Sequence, residues 1–360
     1  MNVRALNRAL LARQHLLERT AQPAAALLGH LVGMQAQAPL APYVGMWTRI
    51  PGFRPEELAA LITGRDAVRG SLMRGTVHLV LAEDARILRP LIQRVAASGY
   101  TGHFGSRIGD ADLDAVAAAG RAWLEERPRT RRQLRYLFAE RWPEHDAEAL
   151  SYAFGYFVPT AQLPPRGVWG STGPAVLTTL DGWLGRPLAE KPPIEDVVRR
   201  YLRAFGPASV ADVQAWSGLT KLREVVEPMA LRTFRAESGE VLYDVEDGLL
   251  PDPDTPAPAR FLPEYDNVLL SHADRARVLP PGRRVPLPPG NGASRGTVLV
   301  DGFYRADWRL RADRLEVTAH DRLTARERAE ITGEGERLLE FLGAGEQSAV
   351  AVVSCDRGLE

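Results

Sequence analysis

The chain has almost no lysine and a single cysteine. Of its 45 basic residues only Lys191 and Lys221 are lysines, and 45 acidic residues bring the formal net charge to zero. The lone cysteine, Cys355, excludes a disulfide within the chain and makes a cysteine-based metal site improbable. A zero net charge argues against a protein that coats nucleic acid without specificity, but it is compatible with a protein that has one basic face.

Long hydrophobic runs are also missing. No stretch of about eighteen consecutive apolar residues occurs, so we expect no membrane span. The first twenty residues are amphipathic and rich in arginine, but they contain neither an unbroken apolar region nor a small-residue cleavage site, so they do not form a secretory signal. Together with the single cysteine, this predicts a cytoplasmic protein with no membrane partner.

The common catalytic motifs do not occur. The sequence has no glycine-rich phosphate loop, no nucleophile elbow and no paired-histidine motif. The histidines, at positions 15, 30, 78, 103, 145, 272 and 320, do not have the spacing of metal ligands. We therefore expect no metal and no organic cofactor.

Helix, helix and hairpin follow one another three times along the chain. In the first segment "VRGSLMRGTVHLVL" predicts two strands joined at Arg74-Gly75, and in the third "LRTFRAESGEVLYDV" predicts a hairpin that turns at Ser238-Gly239. The third segment also contains "SVADVQAWSGLT", which predicts a serine-capped helix, a turn at Gly218 and a second helix from Thr220. This order is typical of winged-helix units.

The predicted fold is α+β and mainly helical. Three tandem winged-helix units would occupy residues 1–105, 106–190 and 191–250, and after a proline-rich linker residues 251–360 would form a β-rich part, either a small sheet or a barrel. Within that last part Glu264 and Asp266 lie among apolar residues, where a charge needs a partner. We favour a structural role, in which this acidic pair binds an arginine such as Arg275 across a domain interface, over a catalytic role.

Two uncharged amides alternate in "GMQAQAPLAPY", where a predicted helix ends in proline-rich turns. In extended backbone, residues two apart project to the same side, so Gln35 and Gln37 could converge on one small object. Each amide offers a donor and an acceptor and could hold one water molecule beside a developing positive charge. The alternative is that both are ordinary polar residues at a helix end.

Beyond this motif, the sequence resembles the AlkZ-like bacterial DNA glycosylases over essentially its whole length. The resemblance rests on "LVGMQAQAPLAPYVGMWTRI", "LMRGTVHLVLAED", "FLPEYDNVLLSHADR" and "VLVDGFYRADWRL", in that order. It implies three tandem winged-helix units and a β-rich C-terminal part that form a concave DNA-binding surface. It also implies excision of alkylated purines, and some members of the family unhook interstrand cross-links.

The family's essential glutamine–apolar–glutamine motif matches Gln35, Ala36 and Gln37, which implies that the two glutamines are catalytic. Alanine is smaller than the usual middle residue. A second branch of the family has aspartate at the position of Gln37, so the chain resembles the branch that has glutamine there.

Arginines on the predicted wings and helices are candidate DNA contacts. Arg74 could reach a phosphate or the minor groove, or it could be a solvated wing tip. His78 alternates with apolar residues, which favours a core or supporting position over a direct DNA contact. Thr130 is the expected cap of the middle helix, and the arginines that follow it could bind phosphate or form a solvated face. The candidate set is Arg74, His78, Arg131, Arg132, Lys221 and Arg223.

These observations predict a monomeric, monofunctional DNA glycosylase that acts on duplex DNA containing purines alkylated at N7 or N3. Monofunctional chemistry is expected because no lysine lies near the motif. The competing hypothesis is a noncatalytic winged-helix protein, either a regulator or a factor that shields lesions. Such a protein would have no use for the amide pair.

Overall fold

Helices and a hairpin form the first ninety residues. The hairpin predicted around Arg74 is confirmed, because β2 and β3 pair antiparallel up to Ser71 and Val77. A helix replaces part of the predicted proline-rich turns: Pro42 lies in its first turn, where the missing N–H costs no hydrogen bond. The elements are α1 (Val3–Arg13), α2 (Ala24–His30), β1 (Met34–Gln35), α3 (Ala41–Trp47), α4 (Pro55–Thr63), β2 (Ala67–Ser71), a 3-10 turn (Met73–Gly75), β3 (Val77–Leu81) and α5 (Ala82–Leu91).

In the middle segment, three helices follow the helical residues 106–108 and precede the hairpin. Thr130 caps the second of them as predicted: its hydroxyl oxygen accepts from the Gln133 N–H at 3.3 Å, and the Gln133 side chain accepts from the Thr130 N–H at 2.8 Å. The elements are α6 (Leu113–Glu126), β4 (Arg129–Thr130), α7 (Arg131–Arg141), α8 (Ala147–Phe157), β5 (Thr160–Leu163), β6 (Val176–Thr179) and α9 (Leu180–Leu184).

One six-stranded sheet joins the first two segments. Its strand order is β1-β3-β2-β5-β6-β4, so the first hairpin pairs with the second through β2 and β5. The two predicted units therefore share a sheet. At its edge β1 places Gln35 opposite His78 of β3.

The third segment differs from its prediction in one helix. Ser209 caps the helix Val210–Ser217, and Gly218 has a positive φ of 81° at the end of that helix, as expected. The predicted second helix from Thr220 instead begins at Arg223 and has only four residues, too few to form a long recognition helix. The elements are α10 (Ile194–Phe205), α11 (Val210–Ser217), α12 (Arg223–Val226), β7 (Arg232–Arg235) and β8 (Val241–Asp244).

The C-terminal part is a five-stranded sheet with one helix. Its order, β13-β12-β11-β10-β9, leaves β9 and β13 at opposite edges, so this sheet is open and the barrel alternative is not confirmed. β12 and β13 are parallel because α13 connects them. The elements are β9 (Arg260–Leu262), a 3-10 turn (Asn267–Leu269), β10 (Gly296–Val300), β11 (Phe303–Leu310), β12 (Arg314–Ala319), α13 (Ala325–Phe341) and β13 (Ala349–Ser354).

The hydrophobic cores connect segments that are distant in sequence. One core contains Leu10 of α1 together with Tyr201, Trp216 and Tyr304, and a second joins the early helices to the C-terminal sheet. Only the third core lies within a single segment, between residues 108 and 177. The predicted boundaries at 105, 190 and 250 stay predictions.

The structure is a computed structural model that describes residues 1–93, 95, 106–287, 295–311, 314–345 and 348–354. His103 and Cys355 lie outside these residues. Within them, no helix is long and apolar enough to cross a membrane. The same ranges contain no cluster of three or more histidine, cysteine or acidic side chains that could hold a metal ion.

Candidate active site

Gln35 and Gln37 meet at the edge of the six-stranded sheet. The backbone is extended through this motif, and the Ala36 N–H donates to the Val77 carbonyl at 2.8 Å. The side-chain amide nitrogen of Gln35 lies 3.5 Å from the side-chain oxygen of Gln37. Gln35 is buried and Gln37 is half-buried, so Gln37 is the more accessible of the two. The two amides thus converge as their alternation predicts.

Arg74 fixes the orientation of the Gln35 amide. Its Nη2 donates to Gln35 Oε1 at 2.9 Å and to Asn267 Oδ1 at 3.0 Å, and its Nη1 donates to the Trp216 carbonyl at 2.8 Å. A guanidinium can only donate, so the Gln35 oxygen must face Arg74 and its NH₂ must face Gln37. The half-buried Arg74 side chain is therefore not a solvated wing tip.

His78 supports this arrangement from inside the sheet. Its side chain is fully buried, its Nδ1 lies 3.0 Å from the Thr76 carbonyl, and its Nε2 lies 3.4 Å from Arg74 Nη2. Burial, followed by the charge of Arg74, lowers the pKa of His78 from 6.5 to about 3. The neutral ring can then donate from Nδ1 and accept at Nε2. The ring thus has the core position that the alternation favours, with no exposed surface, and a direct DNA contact by His78 stays a prediction.

A buried ion pair holds the other side of the site. Asp266 accepts two hydrogen bonds from Arg49, both at 3.0 Å, and both side chains are almost fully buried. The next residue, Asn267, donates to the Gly33 carbonyl at 3.2 Å while it accepts from Arg74. Asp266 therefore has the predicted structural role, but its partner is Arg49 rather than Arg275.

Arg69 is a residue of this site that sequence reasoning missed. It lies on β2, is fully buried, and its Nη2 donates to the Ala36 carbonyl at 2.8 Å. Burial is the main reason that its pKa falls to about 10. A charged residue in the apolar stretch "DAVRGSL" was the available signal, since a buried charge needs a specific partner.

The remaining predicted DNA contacts lie elsewhere. Arg131 donates to the Ser151 carbonyl at 2.7 Å and stacks over the ring of Tyr152, and Arg132 is exposed on the same helix. Lys221 is exposed before α12, and Arg223 forms an ion pair with Glu227. In the described part of the chain, none of the four predicted contacts is hydrogen bonded to the glutamine pair or to Arg74.

The fold and site define an α+β protein in which an amide pair, supported by buried arginines, lies at the edge of a sheet. The family model described as DNA glycosylase AlkZ-like matches residues 28–341, which include the motif and most of both large sheets. The chain therefore belongs to the AlkZ-like DNA glycosylase family.

A solved structure shows the same fold. The Streptomyces sahachiroi DNA glycosylase AlkZ matches with a TM-score of 0.78, over 98% of this chain and 100% of that chain, at 19% sequence identity. At this identity the likeness concerns the fold alone. No curated protein matches the sequence significantly.

Proposed function

We propose that this member of the family hydrolyses the N-glycosidic bond of purines alkylated at N7 or N3, with Gln35 and Gln37 as the catalytic pair. The observation that carries the proposal is the convergence of the two amides, one of them oriented by Arg74. The family match supplies the reaction class, and the amide pair supplies groups that suit this substrate.

The chemistry needs little acid catalysis. A purine alkylated at N7 or N3 is cationic, so when the bond to C1′ breaks, the base takes the electron pair and leaves neutral. Positive charge develops on the sugar, and a preorganised carbonyl dipole stabilises such charge. Water adds to C1′ and releases its proton to the solvent, because neither amide is hydrogen bonded to a carboxylate among the described residues.

The two glutamines have different tasks in this scheme. Gln35 is buried, and its oxygen is occupied by Arg74, so it acts mainly through its NH₂, which faces the Gln37 oxygen. Gln37 is more accessible and would hold the water with its side-chain carbonyl. A chain of hydrogen bonds from Arg74 through Gln35 to Gln37 polarises each amide in turn.

We further propose that the enzyme is monofunctional and works as a monomer in the cytoplasm on duplex DNA. Lys221 is exposed before α12 and has no hydrogen bond to the glutamine pair, and Lys191 lies between α9 and α10. Cleavage should therefore leave an abasic site with an intact strand. An open site would also suit bulky adducts and cross-links, which cannot easily rotate into a pocket. The winged-helix description of the three hairpin segments belongs to the same proposal.

Base release from defined duplexes tests the proposal. Purified protein would be incubated with duplexes that carry N7-methylguanine, a bulky N7 adduct or an N7–N7 cross-link, and free modified base would be quantified by mass spectrometry. We expect release by the wild type and its collapse in Gln37→Ala. Arg326→Ala is the matched control, because Arg326 is exposed, forms an ion pair with Glu330 and lies far from the glutamine motif in the sequence.

Two results would contradict it. Tight binding without any base release would favour the competing noncatalytic DNA-binding protein. Release that persists in both Gln35→Ala and Gln37→Ala would show that the amide pair is not catalytic.

A further inference from the structure

Two arginines contact the motif without a carboxylate partner. Arg74 donates to Gln35 and Arg69 donates to the Ala36 carbonyl. All their hydrogen-bond partners among the described residues are neutral. Two positive charges therefore lie beside the motif, and no carboxylate of the described residues is in contact with them.

Apart from Arg69, most arginines that are buried in the described part of the chain are neutralised. They lie against carboxylates, which is the usual way in which a protein offsets the cost of burying a charge. Arg89 is an exception, since it donates to the Gln93 side chain and the Tyr156 carbonyl. The positive charge at the motif is thus uncommon in this chain and does not follow from its arginine-rich composition. The neutralised pairs are Arg8–Asp301, Arg13–Asp244, Arg49–Asp266, Arg129–Glu126, Arg260–Glu334 and Arg277–Asp212.

Each inner arginine has an outer arginine near it. The charge of Arg275 contributes to lowering the pKa of Arg74, and the charge of Arg166 does the same for Arg69, in each case after burial. Arg275 follows the 3-10 turn that contains Asn267, and Arg166 lies between β5 and β6. Both outer residues are half-buried, so each keeps some exposed surface.

The outer arginines have donors to spare. The Nε of Arg275 is enclosed and has no hydrogen-bond partner, and no carboxylate lies within ion-pair distance of Arg275 among the described residues. Arg166 uses Nη1 to bind the Gly173 carbonyl at 2.9 Å, and it likewise contacts no carboxylate in the described ranges. A guanidinium carries five N–H donors, so the terminal nitrogens of both side chains keep donors for an external acceptor.

We infer that Arg275 and Arg166 bind backbone phosphates of the DNA strand that presents the lesion. Like charges held together in a partly dry site need an anion, and phosphodiester oxygens match the planar fork of arginine. The alkylated base cannot be that anion because it is itself cationic. This inference rests on the proposed function, and it adds a task for the phosphates: they would neutralise the site while positive charge develops on the sugar.

DNA affinity as a function of salt tests the inference. The slope of log K against log salt is negative, and removing one phosphate contact should reduce its magnitude by about 0.9 for duplex DNA. We expect this change in Arg275→Ala and in Arg166→Ala, and about twice the change in the double variant, with an undamaged duplex as the probe in fluorescence anisotropy. Arg275→Lys keeps the charge and should keep the slope, and Arg326→Ala should match the wild type.

The outcomes separate this inference from the proposed function. If the slopes become less steep as expected while the wild type releases no base, the phosphate contacts are supported and the proposed chemistry is wrong. If the wild type releases base but both alanine variants keep the wild-type slope and affinity, the inference is overturned. Should Arg275→Ala lose its circular dichroism signal, Arg275→Gln replaces that variant. Glutamine keeps much of the side-chain stem but has no charge.

Discussion

Nη2 of Arg74 donates to the side-chain oxygen of Gln35 at 2.9 Å, although the two residues lie 39 positions apart in the sequence. The N–H group that donates to Gln35 cannot donate to a DNA phosphate at the same time. The bond also removes the ambiguity of the amide, because a guanidinium cannot accept. Arg74 was predicted as a DNA contact, which stays a prediction, and from this bond we propose that it positions the glutamine pair.

Replacing Arg74 should reduce catalysis more than binding. In Arg74→Met the Gln35 amide is free to rotate, and a misplaced group of this kind lowers the rate by about 100-fold. Arg74→Lys keeps one donor for Gln35 and should retain more activity. The measurement is single-turnover base release alongside the Kd for the same duplex. Weaker affinity with an unchanged single-turnover rate would show that Arg74 binds DNA instead.

The buried His78 predicts that the protein loses stability as the pH falls. Its pKa of about 3 in the folded state lies below the ordinary value of 6.5, so between these values the unfolded chain binds more protons. Above pH 6.5 the ring is neutral in the folded and the unfolded state, and the unfolding free energy has its full value. As the pH drops toward 3, protonation of the unfolded chain lowers the unfolding free energy progressively. His272 and His15, whose pKa values burial lowers to about 3 and about 4, act in the same direction.

Urea unfolding over this pH range measures the effect. One such histidine contributes at most about 1.4 kcal/mol per pH unit to the slope of the unfolding free energy. His78→Gln should reduce the slope of the unfolding free energy against pH by up to the contribution of one histidine, whatever the stability of the variant at neutral pH. An unchanged slope would mean that His78 is as easily protonated in the folded state as in the unfolded chain.

The Arg49–Asp266 pair should be a strong determinant of stability. Asp266→Asn leaves the Arg49 guanidinium buried without a counter-charge, and breaking a buried pair in this way costs about 3–5 kcal/mol. Equilibrium unfolding in urea checks the value. Arg326→Ala removes an exposed ion pair and should change the unfolding free energy by less than about 1 kcal/mol. Equal effects of the two substitutions would contradict the prediction.

Local patterns in the sequence were enough for much of the fold. The hairpin at Arg74-Gly75, the caps at Thr130 and Ser209 and the turn at Gly218 depend on neighbours within a few residues, and all are present. The predicted helix from Thr220 is wrong over its first turn, and it ends after Val226. Pro42 suggested a turn but lies in the first turn of a helix, where proline is tolerated.

The candidate site, like the fold, was predictable from the sequence only in part. The alternation of Gln35 and Gln37 predicted that their amides converge, because extended backbone places such residues on one side. The partners of the pair were not predictable: Arg74 and Asn267 come from a turn and a distant loop, and Arg69 reaches Ala36 from another strand. Asp266 was expected to bind an arginine, but the choice of Arg49 over Arg275 depends on how α3 packs against that loop.

The sequence by itself determined most of the elements, the amide pair and the family resemblance, since these depend on spacing and residue type along the chain. Only the tertiary structure decided which arginines support the motif and which remain without a counter-charge. The physical reason is that a guanidinium reaches several ångströms from its backbone and binds whichever acceptor the packing brings near. In this chain most basic residues are arginine, so their composition alone does not distinguish a structural arginine from one that binds DNA.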